Sequence, residues 1–213
     1  MTIKNLVFDL GGVIIDLDRD QAVRSFQAIG VDDADELIDA YEQKWIFQDL
    51  ETGRIGVDEF CRELREHTGK PLTFEAICKA WLGFVVDVPQ YKLDYIAGLR
   101  AAGYKVYLLS NTNPIIQLQW AQTPQFTAAG RPLNAYFDKL YTSYEIGVTK
   151  PDPRIFHAML RDSGIQPSES LFIDDGKKNI DVARTLGFPT YQPQNGEDWR
   201  EVVSERLKDT GRE

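Results

Sequence analysis

The sequence predicts an α/β fold, a parallel sheet covered by helices on both faces, with a block of helices inserted after the first strand. Three observations lead there. Five short runs are almost continuously apolar, as strands buried on both faces are. Helical patterns separate the last four runs, and alternation of strand with helix builds parallel sheets. Between the first and second runs the pattern changes, and only helical periods are legible.

The five runs are "NLVFD" (5–9), "KVYLLS" (105–110), "KLYTS" (139–143), "SLFID" (170–174) and "PTYQ" (189–192). Helices are expected at "NPIIQLQWAQ" (113–122), "PRIFHAMLRDSG" (153–164) and "KKNIDVARTLG" (177–187). The last two close on glycine, a common helix end. Residues 17–88 hold "RDQAVRSFQAIG", "DDADELIDAYEQKW", "VDEFCRELREHTG" and "TFEAICKAWLGF", each read as a helix, and no strand. Thr73 stands where a capping side chain belongs. Residues 1–16 and 89–213 are therefore expected to form the core, and residues 17–88 a helical cap. An insertion at that point is well placed to cover the carboxyl ends of the strands, where open α/β sheets bind ligands. The end of the tail "SERLKDTGRE" is expected to fray.

Composition narrows the function. A chain of 213 residues has room for one ordinary domain and a modest insertion. A net charge of −9 argues against nucleic acid and anionic membranes as partners. No window supplies the ~18 apolar residues of a membrane helix, and no signal peptide is legible, so a cytoplasmic protein is expected. Cys61 and Cys78 fit neither a zinc motif nor a disulfide framework and read as reduced thiols. An anionic substrate would need a local positive site against this acidic background.

Such a site is suggested at the carboxyl ends of the strands. Asp9 ends the first run, Ser110 and Asn111 follow the second in "LLSNTN", Lys150 follows the third in "GVTKPDP", and Asp174 and Asp175 follow the fourth in "FIDDGKKNI". Each alone has an ordinary reading as a cap, turn former or surface charge. All on one sheet edge, they supply a carboxylate nucleophile or ligand, a phosphate donor, a cation and an acid pair. A carboxylate that attacks phosphorus forms an acyl phosphate that water then hydrolyses, dividing one displacement into two. The repulsion between carboxylate and phosphate calls for a divalent cation, and magnesium takes oxygen ligands. Asp9, Asp175 and a backbone carbonyl fit that need. Lys150 would neutralise remaining charge, and Ser110 with nearby amides would hold phosphate oxygens.

The order of "FDLGGVI", "LSNTN", "KPDPRIF" and "FIDDGKKNIDVARTLG" resembles the four-motif pattern of haloacid dehalogenase superfamily hydrolases, in the subgroup with a small helical cap. It is most similar to sugar-phosphate phosphatases of the α-glucose-1-phosphate phosphatase type and to the phosphatase half of soluble epoxide hydrolases. The resemblance implies a Rossmann-like, doubly wound sheet ordered 5-4-1-2-3 and a magnesium-dependent phosphatase. It implies Asp9 as nucleophile, Ser110, Asn111 and Lys150 at the phosphate, and Asp175 on the metal with Asp174 beside it. Its phosphatases usually carry a second aspartate two residues after the nucleophile. That residue lends a carbonyl to magnesium and a side chain for acid–base work worth ~10²–10⁴ in rate. Here the position is Gly11. The carbonyl survives and the acid does not.

Three readings of Gly11 stay open. The enzyme favours leaving groups that need little protonation, or Asp16 or Asp18 stands in for the acid, or the protein binds phosphate ligands with negligible turnover. A dinucleotide site is set aside because "DLGGVI" lacks the third glycine and the helix opening on it. Carbon–halogen chemistry gives the acid pair little purpose. In the insertion, "WIFQDLETGRIGVDEFCRELREH" puts Arg54 forward as a contact for a substrate hydroxyl or second phosphate and Trp45 with Phe47 as an apolar wall for a sugar, the alternative being Trp45, Phe47 and Phe60 as cap core. His67 and His157 are read as structural or surface residues, and Trp120 as packing its helix on the sheet. "TPQFTAAGRPLNAYFD" (123–138) is longer than most helix-to-strand connections. The expected partner is a small phosphorylated metabolite, sugar phosphates first, on a monomer or homodimer.

Overall fold

A computed structural model describes residues 2–39 and 41–208; Ala40 and the tail end where fraying is expected lie outside them. The five apolar runs form one parallel sheet of β1 (Asn5–Phe8), β4 (Lys105–Ser110), β5 (Lys139–Thr142), β6 (Ser170–Ile173) and β7 (Thr190–Tyr191). Its order is β5-β4-β1-β6-β7. Counting these five strands alone, that is the expected 5-4-1-2-3 read from the other edge. Leu6 lies opposite both Val106 and Leu171 in the register, so β1 is the centre of the sheet.

Side chains alternate across the sheet, as strand geometry dictates. Leu6, Phe8, Val106, Leu108 and Ile173 pack into one layer with α6 (Gln90–Ala101) and α11 (Arg200–Lys208). Val7, Tyr107, Leu109 and Phe172 pack into the other, against α9 (Pro153–Ser163) and α10 (Lys177–Thr185). Each fully buried side chain of this kind contributes about 1.5–3 kcal/mol. Sequence chemistry starts and stops these helices. Asp152 caps α9 by accepting from the Arg154 amide at 2.8 Å, and Gly164 closes it in the left-handed region at φ 71°.

The insertion has a core of its own. Helices α1 (Arg19–Ile29), α2 (Ala34–Leu37), α3 (Trp45–Glu51), α4 (Val57–Thr68) and α5 (Phe74–Trp81) converge on Phe26, Phe47, Phe60 and Trp81. Edge-on pairs at 5.1 Å (Phe26–Phe47) and 5.2 Å (Phe47–Phe60) are the arrangement that ring quadrupoles favour. Thr73 caps α5, accepting from the Ala76 amide at 3.2 Å. His67 pairs with Asp33 at 2.8 Å, and His157 is exposed. Cys61 and Cys78 are free thiols.

Three expectations need correction. The single helix expected over 32–45 is broken: α2 ends at Leu37 and α3 begins at Trp45. Ile38, extended at φ −104° and ψ 119°, turns into the insertion's apolar cluster. Asp39 then accepts from the amides of Tyr41 (2.9 Å) and Glu42 (3.1 Å), a side-chain turn that competes with helix. The stretch thought to lack strands contains two, β2 (Asp16–Leu17) and β3 (Val85–Asp87), paired antiparallel where the two linkers of the insertion run side by side. Strands of two and three residues leave no periodic signal. The helix expected at 113–122 starts as α7 (Pro114–Ile116), capped by Asn113, and widens to a π-helical turn over Gln117–Ala121. Trp120 there packs on Phe126, with centroids 5.2 Å apart. No described helix is long and apolar enough to cross a membrane.

Candidate active site

Because the sheet is parallel, the residues that follow its strands emerge along one edge. Asp9 directly follows β1, and its amide still donates to the Ile173 carbonyl at 2.9 Å. Ser110 ends β4 and is buried. Lys150 reaches back from beyond the short helix α8 (Ser143–Ile146), and Asp174 and Asp175 follow β6. The fold brings all five together.

Lys150 is the hub. Its ammonium donates to Asp9 Oδ1 at 2.9 Å, to Asp174 Oδ2 at 2.7 Å and to the Leu109 carbonyl at 2.7 Å. Three donors meet three acceptors, so a buried lysine stays charged here. Burial works against that charge, but Asp174 and Asp9 outweigh it and raise the Lys150 pKa. Asp174 is fully buried, and its other oxygen accepts from the Gly176 amide (2.8 Å) and the Asn179 side chain (2.9 Å). It anchors the lysine and the loop.

The side chain of Asn111, expected at the phosphate, is engaged by the Lys150 backbone. Its nitrogen donates to the Lys150 carbonyl (2.8 Å) while its oxygen accepts from the Lys150 amide (2.7 Å). Both ends are occupied in holding the lysine backbone. Ser143 fixes the same loop, accepting from the Thr112 amide at 3.0 Å and donating to the Thr112 carbonyl at 2.9 Å.

The carboxylates of Asp9, Asp174 and Asp175 offer ligand atoms within 4.8 Å of one another. Three carboxylates against one ammonium leave an excess of two negative charges in a buried place. The consequence is visible in the acids. Burial raises the Asp9 carboxyl above its ordinary range, and Lys150 offsets this only in part. Asp175 is pushed up to about 7 by burial and by the charges of Asp9 and Asp174. A divalent cation would remove that strain, and hard oxygen donors suit magnesium. With Asp174 already committed, Asp9 and Asp175 are the carboxylates placed to hold it. The residues present fit the ion.

The two glycines after Asp9 differ. Gly12 adopts φ +72°, and a Cβ there would collide with the Asp175 carboxylate. Gly12 therefore needs to be glycine on both counts. Gly11 has an ordinary backbone, but a Cβ would lie 2.6 Å from Leu17 Cδ1. The space where the missing acid would start is filled by leucine.

The four specificity candidates lie elsewhere. Trp45 is 40% exposed and packs on His67. Arg54 pairs with Asp49 at 3.2 Å. Asp16 pairs with the buried Lys92 at 3.0 Å, and Asp18 caps α1 by accepting from the Gln21 amide at 2.9 Å. None of them lines the cleft at Asp9 or the one beside it. Instead, Tyr41 and Asn179 line the cleft with Asp9 and Asp175, and Glu51 and Trp81 line its neighbour with Gly11 and Ser110. Glu51 is 7% exposed, and burial followed by the charge of Asp9 pushes it up to about 8. Its signal in the sequence is an acid at i+4 from Phe47, on the apolar face of α3. Tyr41 had no such signal, since it sits in the broken stretch.

Comparison with known proteins finds relatives over nearly the whole chain. The model of a family described as haloacid dehalogenase-like hydrolase matches residues 3–187. A D-ribitol-5-phosphate phosphatase of Bacteroides thetaiotaomicron is 54% identical over 202 residues, covering 95% of this chain and 97% of that protein. A predicted HAD-like family hydrolase from Porphyromonas gingivalis superposes with a TM-score of 0.92 at 46% identity, covering 98% of this chain and 99% of the other. A HAD family enzyme of B. thetaiotaomicron, solved as an aspartate-to-alanine variant with magnesium and inorganic phosphate, gives 0.88 at 43% identity, covering 94% and 98%.

Proposed function

The chain belongs to the haloacid dehalogenase-like hydrolases, and on that premise we propose that it is a magnesium-dependent phosphatase of a small polyol or sugar phosphate, acting through an aspartyl-phosphate on Asp9. The observation that carries this reading is the buried Asp9–Lys150–Asp174 chain with Asp175 beside it, a site two charges too negative without a divalent ion. The phosphatase class is that of the relative at 54% identity, whose named substrate is a primary alkyl phosphate.

When bound, magnesium supplies the positive charge that lets a carboxylate approach a phosphate. Asp9 and Asp175 would hold it, with the Gly11 carbonyl as a third oxygen. Asp9 attacks phosphorus with the oxygen that Lys150 does not hold. Ser110 takes a non-bridging oxygen, Lys150 offsets the charge of the phosphate from beside Asp9, and Asn111 keeps the lysine in place. The inserted helices of residues 17–88 act as a cap, excluding water while the first bond forms. A cleft under a helical cap suits a small metabolite better than a protein.

Phosphate release by the purified chain tests this, with and without magnesium, across ribitol 5-phosphate, other pentitol and pentose 5-phosphates, sugar 1-phosphates and nucleotides. Magnesium-dependent release, greatest on the five-carbon 5-phosphates, is expected. Asp9→Asn should abolish it and leave the melting transition in place. A native protein that binds magnesium yet releases phosphate from none of these would be a binding module instead.

A further inference from the structure

We propose that Glu51, at the end of α3, is the proton donor to the leaving oxygen, doing from the cap the work that Gly11 cannot. The inference rests on the phosphatase reading above and deepens it. Four observations carry it.

The first is the state of the side chain. Glu51 is 7% exposed, and its carboxyl makes none of the hydrogen bonds or ion pairs among the described residues. A buried acid without a partner is costly unless it is kept protonated or meets a ligand. Second, it lines the cleft that Gly11, Ser110 and Asn111 also line. The indole N–H of Trp81, another wall of that cleft, is the one buried side-chain polar atom without a partner among the described residues. An unmet donor and an unpaired carboxyl lining one cleft point to an oxygen-bearing occupant.

Third comes direction. In an in-line displacement the leaving oxygen lies opposite the nucleophile. Asp9 approaches from the sheet edge, so the leaving group points toward the inserted helices, and Glu51 is the acid they contribute to that cleft. Fourth, the alternatives are occupied. Leu17 fills the space beside Gly11, Asp16 is paired with Lys92 and Asp18 caps α1. Burial favours the protonated form of Glu51, as a donor requires.

The chemistry balances. An Asp9 oxygen bonds to phosphorus as the bond from phosphorus to the leaving oxygen breaks. That oxygen keeps the electron pair and takes the Glu51 proton, giving a free alcohol, an aspartyl-phosphate and a Glu51 carboxylate. Water then attacks phosphorus from the side the alcohol vacated and gives its proton to Glu51. The Asp9–phosphorus bond breaks, phosphate leaves, and both residues return to their starting states.

The test compares Glu51→Gln with the native enzyme, both loaded with magnesium, on two esters. Ribitol 5-phosphate has an alkoxide leaving group that needs a proton; p-nitrophenyl phosphate has one that does not. On the alkyl ester, the variant should lose about 10²–10⁴ in kcat, the usual worth of a general acid. On the aryl ester it should still release a rapid burst of about one nitrophenolate per site and then stall as phosphoenzyme, because the second step lacks its base. Turnover of the alkyl ester within about threefold of native would overturn the inference. So would loss of the aryl burst in parallel with the alkyl rate, since packing damage would slow both. If the native chain releases phosphate from neither ester, the phosphatase reading itself fails and takes the inference with it.

Discussion

Adjacent glycines after Asp9 have opposite tolerances, because one faces a carboxylate and the other a leucine tip. Gly12→Ala would force a side chain into the left-handed region, about 1–2 kcal/mol by itself, and press it onto Asp175. Both a lower melting temperature and a higher magnesium concentration for half-maximal activity are expected. Gly11→Ala asks only that Leu17 Cδ1 move aside, so stability should change by less than about 1 kcal/mol, as for most tolerated single substitutions. Thermal unfolding and magnesium titration of the two variants would separate them. Equal losses in both would mean that the Gly12–Asp175 approach does not shape the site.

At the level of elements, the decisive piece is α3 with the turn that follows. Gly53, at φ +65°, lets the turn approach so closely that a Cβ would overlap the Tyr144 backbone oxygen of the core. Gly53→Ala should push α3, and with it Glu51, off its seat. Displacements near 1 Å cost up to about 10² in rate, so kcat/KM is expected to fall at least tenfold while global stability drops by about 1–2 kcal/mol. The ion pair of Lys178 with Glu42 also joins core to insertion at 3.3 Å, but both side chains are mostly exposed. Pairs of that kind contribute about 0–1 kcal/mol. Lys178→Ala should therefore leave kinetics and melting nearly unchanged. Steady-state rates and thermal melts on both variants decide whether the glycine contact or the ion pair seats the insertion.

For the whole molecule, the crowded acids set how stability depends on pH. Asp175, at about 7, and Glu51, at about 8, sit above ordinary carboxylate values. The folded chain thus holds protons that the unfolded chain has released. Their stabilisation is fully present below the unfolded values near 4 and is lost as pH rises through 7 to 8. Metal-free protein should accordingly melt lower at pH 8.5 than at pH 5.5, by on the order of a few kcal/mol in stability. Magnesium, binding the folded state alone, should restore more at the higher pH. Glu51→Gln should flatten part of the slope. Melting curves across this range, with magnesium and with chelator, provide the check, and a metal-free protein that gains stability toward pH 8.5 would contradict it.

The sequence by itself determined the sheet and the residues along its edge. Strands buried on both faces must be apolar throughout, and whatever follows them in a parallel sheet emerges on one side. Asp9, Ser110, Lys150 and the Asp174–Asp175 pair were therefore legible one run at a time. The family pattern added the order of the strands, and the Gly11 anomaly was plain from spacing alone. What only the tertiary structure decided lies between segments distant in the chain. Asn111 clamps a lysine 39 residues away, Ile38 leaves its helix for an apolar cluster shared with the other helices of the insertion, and two linkers meet as a ribbon too short to show a period. Glu51 carries no signal of its own in the sequence beyond its spacing from Phe47. It became a candidate for catalysis once packing buried it, without a partner, in the cleft where Gly11 and Leu17 leave no acid. Local patterns record which face of an element is apolar; which buried groups find partners depends on the assembled whole.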